Sequence, residues 1–162
     1  MSVTIRDFVP HHGPDWRRLN EAWLRDGGFA IEARDQAVLD DPQGAILARG
    51  GHIFMAEIDR EAGSEAGSEV VGCCALLDRG DGETLELAKM TVSAAHRGRG
   101  IGMALLHACE RRARESGHRR LYLETNSSLR TAIALYERFG FRALAPQATD
   151  YARCDVWMEK RL

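Results

Sequence analysis

The chain has 162 residues, 44% of them hydrophobic and 28% charged, with a formal net charge of −2. That length predicts a single domain over residues 1–162 with a sizeable core, and the composition excludes collagen-like and disordered classes. No apolar run reaches the ~20 residues of a membrane span and the first residues lack a signal-peptide core, so a cytoplasmic protein making no use of a membrane is expected.

Val3–Asp7 alternates and predicts a strand. Residues 10–26 follow as a helix, with Trp16, Leu19, Trp23 and Leu24 at helical spacing and a stop at Gly27-Gly28. Residues 31–41 read as a second short helix halted before Pro42. Residues 52–58 and 70–77 read as strands, and the EAGS-EAGS repeat between them has linker composition and predicts a mobile hairpin loop. Thr84–Val92 completes a meander of three antiparallel strands. Residues 101–116 form a helix whose inner face carries Ile101, Leu105, Ala108 and Cys109, stopped by Gly117. Arg120–Thr125 is a strand, and a right-handed crossover places it parallel to Thr84–Val92. Ser128 is the expected N-cap of a helix running to Phe139, and Gly140 ends it. Residues 141–144 and 153–160 read as the last strands. The order β-α-α-β-β-β-α-β-α-β-β predicts an α/β fold with a mixed sheet.

Charge is unevenly spread: residues 1–70 carry a balance of −6 and residues 71–162 a balance of +4. An acidic half suits a cationic substrate and a basic half an anionic cofactor. Cys73, Cys74, Cys109 and Cys154 form no C-x-x-C pair and have no adjacent histidine, so free thiols are expected and an acyl-cysteine route is not. The histidines form no ligand cluster, so no metal is expected. The arginines at 111, 112, 114, 119 and 120 lack interleaved aromatics and predict a solvated face, with no nucleic-acid partner.

The most informative stretch is His96-Arg97-Gly98-Arg99-Gly100-Ile101-Gly102, a glycine-rich turn between a strand and a helix. Glycine permits close backbone approach, and the helix N-terminus adds unpaired N–H donors and partial positive charge. Arg97 and Arg99 add full charges, so the turn predicts a phosphate-bearing ligand. A Walker A loop needs G-K-[ST], which is absent, and a dinucleotide G-x-G-x-x-G from Gly98 fails at Met103. The spacing that fits is R-x-x-G-x-G, from Arg97 through Gly100 to Gly102.

Residues 85–144, and more loosely the whole chain, resemble the GNAT superfamily of acyl-CoA-dependent N-acetyltransferases. The resemblance is carried by Met90-Thr91-Val92 leading into the glycine turn, by Leu121-Tyr122-Leu123-Glu124-Thr125, and by Ala132-Ile133-Ala134-Leu135-Tyr136-Glu137-Arg138-Phe139-Gly140-Phe141. It implies a GNAT-like fold with a V-shaped cleft and acetyl-CoA as donor, held within residues 84–144. Gly98, Arg99, Gly100, Ile101 and Gly102, with Arg97, would wrap the pyrophosphate, and Met90, Thr91 and Val92 would hold the pantetheine arm. Asn126 is a further cofactor candidate, because the asparagine many relatives carry five residues after Glu124 is here Leu129. Tyr136 would protonate the departing thiolate, since a phenol of pKa near ~10 keeps its proton at neutral pH. Glu124, twelve residues before Tyr136, and Glu86, on the strand before the turn, are both candidates for the base that frees the amine. Glu86 is expected to face the same way as Ala88, Met90 and Val92.

The implied activity is acetyl transfer to a primary amine in a ternary complex, with a small cationic acceptor suggested by the acidic half. A protein N-terminus or lysine is the alternative acceptor. An acyl-CoA-binding sensor without turnover is the alternative of another class. The acceptor pocket is expected from residues 27–41 and 146–153, with Tyr151, Arg153 and Asp155 as contributors. A homodimer paired through the C-terminal strands is the corresponding expectation for assembly.

Overall fold

The computed structural model describes residues 2–60 and 67–162, so most of the EAGS-EAGS repeat lies outside the described residues. Seven strands form one mixed sheet in the order β1-β2-β3-β4-β5-β7-β6. They are β1 Val3–Asp7, β2 His52–Asp59, β3 Ser68–Asp78, β4 Thr84–Val92, β5 Arg120–Thr125, β6 Arg142–Leu144 and β7 Val156–Arg161. β1 to β4 run as an antiparallel meander, and β5 joins β4 in parallel after the crossover helix.

Side chains alternate along the strands, so the central strands β2 to β4 bury residues on both faces of the sheet. On one face, Phe54, Val71, Leu76, Leu85, Leu87, Leu121 and Leu123 pack under α4 Ile101–Glu115 and α5 Arg130–Phe139. On the other, Ile53, Met55, Val70, Cys73 and Ala75 pack under α1 Gly13–Asp26 and α2 Ala33–Asp40. The Trp16 indole donates to the Val38 carbonyl at 3.0 Å and fixes α1 against α2. A short α3, Pro42–Ala45, was not foreseen; Asp41 caps it by accepting the Gly44 N–H at 2.9 Å.

Several boundaries move for local reasons. Residues 10–12 form a 3-10 turn and α1 begins only at Gly13. Ser128 is not the cap of α5: Leu129 holds that position, and the Ser128 N–H instead donates to Asn126 Oδ1 at 2.9 Å in a tight loop. The last strand begins at Val156 rather than 153, because residues 151–154 turn, with Cys154 N–H donating to the Tyr151 carbonyl at 3.2 Å.

The decisive irregularity is in β4. Cys73 pairs with Thr91 and Ala75 with Ala88, so Lys89 and Met90 together oppose Cys74. This is a β-bulge, and Lys89 sits there at φ +54°, the one non-glycine residue with positive φ among the described residues. The extra residue reverses the alternation. Met90 and Val92 pack with Leu85 and Leu87 under α4, whereas Glu86 and Lys89 reach α2. The expectation that Glu86 shares a face with Met90 and Val92 is therefore corrected: a two-residue period holds only while each residue has its own partner.

Candidate active site

β4 and β5 pair from Thr84 with Arg120 to Leu87 with Leu123, and no further. Beyond that point the strands part. The resulting cleft is lined by Leu87, Ala88, Lys89 and Met90 on one side and by Leu123, Glu124, Thr125 and Asn126 on the other. Leu129, Ala132 and Tyr136 close it from the α5 face, and Trp23, Tyr151 and Arg153 from the α1–α2 face. The split leaves main-chain groups of β4 unpaired on the β5 side, where an extended ligand arm can add a strand's worth of hydrogen bonds.

The glycine turn leads from β4 into α4. Gly98 and Gly100 have φ +76° and +80°, a left-handed backbone that a side chain disfavours, and a Cβ added at either would meet nothing within 4 Å. Conformation, not crowding, demands glycine there. Gly100 is the N-cap of α4 and supplies no capping side chain, so the N–H groups of Ile101, Gly102 and Met103 keep their hydrogen-bonding capacity. Gly102 differs: a Cβ there would stand 2.9 Å from Leu135 Cδ2 and 4.0 Å from Met90 Cε, so glycine lets α5 descend onto the first turn of α4. Arg97 Nε donates to the Val92 carbonyl at 3.2 Å, and Arg97 and Arg99 are exposed. This cradle of bare N–H groups and cations fits a pyrophosphate.

The sequence-derived site residues divide. Glu124 and Tyr136 both reach the cleft, from opposite faces of the split sheet. Tyr136 is 8% exposed and packs edge-on to Phe141 at 5.8 Å between ring centres. Burial pushes its phenol well above the ordinary value. Glu124 accepts from the Tyr122 hydroxyl at 3.0 Å and from the Thr149 hydroxyl at 2.7 Å. Glu86 does not line the cleft. It is 2% exposed and clamped between Arg34 at 3.1 Å and Arg79 at 3.0 Å. Burial raises its pKa, an effect the two arginines oppose. Asn126 lines the cleft, but its amide donates to the Arg153 carbonyl at 2.7 Å and its oxygen accepts the Ser128 N–H, so it also holds the β5–α5 loop. Asp155 faces away, accepting from Ser127 N–H at 2.7 Å and Ser127 Oγ at 2.8 Å.

Sequence reasoning missed Trp23 and Lys89, and marked Arg34 and Asp35 only as members of the segment 27–41. Asp35 is fully buried on α2 and receives Lys89, Arg153 at 2.6 and 2.7 Å, and the Glu32 N–H at 2.9 Å. Glu32 also accepts from Ala152 N–H at 2.9 Å and Arg153 at 3.2 Å. These bonds tie residues 151–153 over the end of the cleft. Arg34, Lys89 and Arg153 all lie against the Tyr151 ring, at 4.7, 5.1 and 4.3 Å from its centre. The acidic groups of residues 1–70 that reach this end of the cleft, Glu32 and Asp35, are each bound to cations. The one available signal was Lys89 itself, a lysine set between Leu87-Ala88 and Met90.

The profile described as "Acetyltransferase (GNAT) family" matches residues 9–141. An uncharacterized N-acetyltransferase of Escherichia coli, YjgM, is 40% identical over 98 residues, covering 58% of this chain and 59% of that protein. An amino-acid acetyltransferase of Pseudomonas fluorescens is 28% identical over 96% of this chain and 39% of its own length. The chain thus spans well under two thirds of either relative. Among solved structures, an acetyltransferase of the GNAT family from Staphylococcus aureus Mu50 superposes with a TM-score of 0.83 at 20% identity, over 99% of both chains. A GNAT family acetyltransferase from Elizabethkingia anophelis with acetyl-CoA bound gives 0.64 at 19% identity, over 99% of this chain and 98% of that one. At these identities the likeness is one of fold.

Proposed function

The chain belongs to the GNAT family of acetyltransferases, and from that premise we propose that it transfers an acetyl group from acetyl-CoA to the primary amine of a small molecule, by direct attack in a ternary complex. The observation that carries this reading is the split between β4 and β5. Its wall residue Met90 approaches Gly102 at the start of α4, and Glu124 and Tyr136 line it from its two faces.

The donor's pyrophosphate would lie on the N–H groups of the glycine turn, with Arg97 and Arg99 adding charge. Its pantetheine arm would bond the unpaired edge of β4 along Met90, Thr91 and Val92. Main-chain N–H groups at the bulge would polarise the thioester carbonyl and stabilise the oxyanion as the amine attacks. Glu124 is the base that receives the amine proton. Its oxygens accept from two hydroxyls and form no ion pair among the described residues, so it retains a lone pair for an ammonium. Glu86 lacks that freedom. Tyr136 supplies the proton to the departing thiolate; burial, which disfavours phenolate, keeps that proton in place. The strap over residues 151–153 narrows the acceptor end, which favours a small molecule over a folded protein surface.

Release of CoA thiol across an amine panel, for wild type and Tyr136→Phe, tests the reading. Free amino acids belong in the panel because the Pseudomonas fluorescens relative is named an amino-acid acetyltransferase. The variant keeps the ring packed on Phe141 and removes only the hydroxyl, so turnover is expected to fall ~10²-fold or more with acetyl-CoA affinity unchanged. Undiminished turnover removes Tyr136 from the chemistry.

A further inference from the structure

The acceptor end of the cleft has an unequal inventory of hydrogen-bonding groups. The carboxylates packed behind it are filled: Asp35 by Lys89, Arg153 and a backbone N–H, and Glu32 by Arg153 and a backbone N–H. Its cations are not. Among the described residues the Lys89 ammonium, only 5% exposed, has one hydrogen-bond partner, Asp35, though an ammonium carries three donors. Arg153 uses three of its five donors, on Glu32 and Asp35. Both residues line the cleft, together with Glu124 and the rings of Trp23 and Tyr151. Arg34 adds a third positive charge against Tyr151. The end of the cleft therefore offers spare donors in one place and a single carboxylate without a cationic partner in another.

We propose that Lys89 and Arg153 bind a carboxylate on the acceptor, so that the substrate class is an amine that also carries an acid group. The inference rests on the acetyl-transfer reading and sharpens it. The acceptor's ammonium goes to Glu124, where it loses its proton. Its carboxylate goes to the charge-assisted donors across the cleft, which are stronger than neutral ones and set the orientation of attack. Asp35 holds both cations in place without being able to answer a ligand, because it is buried and filled. A purely cationic amine would meet Lys89 and Arg153 with nothing to offer them. A peptide N-terminus, whose α-carboxyl is an amide, would leave the same donors unused.

Matched acceptors test this: a free amino acid, its amide and the corresponding decarboxylated amine, each with an aromatic and an aliphatic side chain. The measured quantity is kcat/KM from thiol release, with the product identified by mass. Wild type is expected to prefer the acid over its amide by ~10-fold or more, since a site built to pair a charged group discriminates against its absence. Lys89→Met is expected to shrink that ratio by raising KM for the acid more than KM for the amide, and Lys89→Arg to restore part of it. A general loss of structure would lower both substrates alike. Should Lys89→Met not fold, inhibition of wild type by the N-acetylated acid and its amide decides, with the acid expected to bind tighter. Equal use of acid and amide by wild type, or a ratio unaltered in a folded Lys89→Met, overturns the carboxylate site while the transfer reading stands. A panel in which no amine is acetylated overturns the transfer reading and this inference with it.

Discussion

Replacing Asp35 by asparagine tests whether the cluster under residues 151–153 is held by charge. Asparagine preserves the volume and can still accept the Glu32 N–H, so packing is spared. What disappears is the negative charge between Lys89 and Arg153, at a residue with no exposed surface. Removing one partner of a buried ion pair costs about 3–5 kcal/mol, because the remaining charges lose their compensation. Burial already pushes the Lys89 ammonium below its ordinary value; by giving up its proton Lys89 limits the cost, so the lower part of that range is expected. Against a total stability of ~5–15 kcal/mol the loss is large. The pH dependence has a definite sign. Burial raises the Asp35 pKa, but hydrogen bonds from Arg153 and Lys89 outweigh it and hold the carboxyl well below its usual value of 3.8. A carboxyl with a depressed native pKa contributes stability above its unfolded value and loses it as pH falls toward the native one. Urea unfolding followed by tryptophan fluorescence should therefore show wild type and Asp35→Asn far apart at pH 7, and converging only below about pH 4. A difference under ~1 kcal/mol at pH 7, or one that does not change with acidification, refutes the reasoning.

Three further substitutions probe the donor site and the base. Gly102→Ala gains helix propensity worth ~1 kcal/mol but sets a Cβ 2.9 Å from Leu135 Cδ2, so stability should stay within that margin while α5 is pushed off the cradle. Calorimetry should then find acetyl-CoA binding weakened by roughly tenfold, about 1.4 kcal/mol, and an unaltered Kd would separate the α4–α5 contact from donor binding. Glu124→Gln should cost ~10²-fold in turnover with acetyl-CoA affinity kept, whereas Glu86→Gln should show mainly as lost stability, since it breaks two ion pairs away from the cleft. The reverse pattern in stopped assays would exchange their roles.

Most of the fold was legible because its signals are local. The glycines at 98, 100, 117 and 140 mark left-handed turns and helix ends, and all four have positive φ. Along β5 the two-residue period is unbroken, so Tyr122 and Glu124 share a face, and their side chains meet. The same rule failed on β4, where a bulge at Lys89 inserts one residue and changes the face of everything after Ala88. Nothing in Leu87-Ala88-Lys89-Met90 announces a bulge, which is a property of the pairing with β3. The acceptor cluster was legible only in part, for a related reason: the sequence points to residues 27–41, Tyr151 and Arg153, but not to Lys89. Asp35, Lys89 and Arg153 are far apart in sequence, and only the packing of α2 and the strap against β4 brings them together. Counting charge over half the chain pointed toward a cationic ligand, because a count cannot tell a carboxylate that faces a ligand from one already bound by arginine.

Lys89 joins the two halves of the site, and its identity can be argued from strain. At φ +54° a non-glycine residue sits in a region that costs of order 1 kcal/mol, and glycine would occupy it without penalty. Elsewhere in this chain left-handed backbone among the described residues is given to glycine. A lysine here is therefore retained for its side chain, and that side chain runs to Asp35 rather than to solvent. Its backbone meanwhile forms the bulge that takes β4 out of register with β3 and marks where β4 departs from β5. One residue thus shapes the strand on which the donor would lie and carries the ammonium that would face the acceptor. Strain of this kind persists only where surrounding contacts over-determine it, and the Asp35–Arg153 pair and the Tyr151 ring supply those contacts. The two substrates would then meet where the backbone is least regular, because the irregularity turns a continuous sheet into a cleft with a charge on its wall.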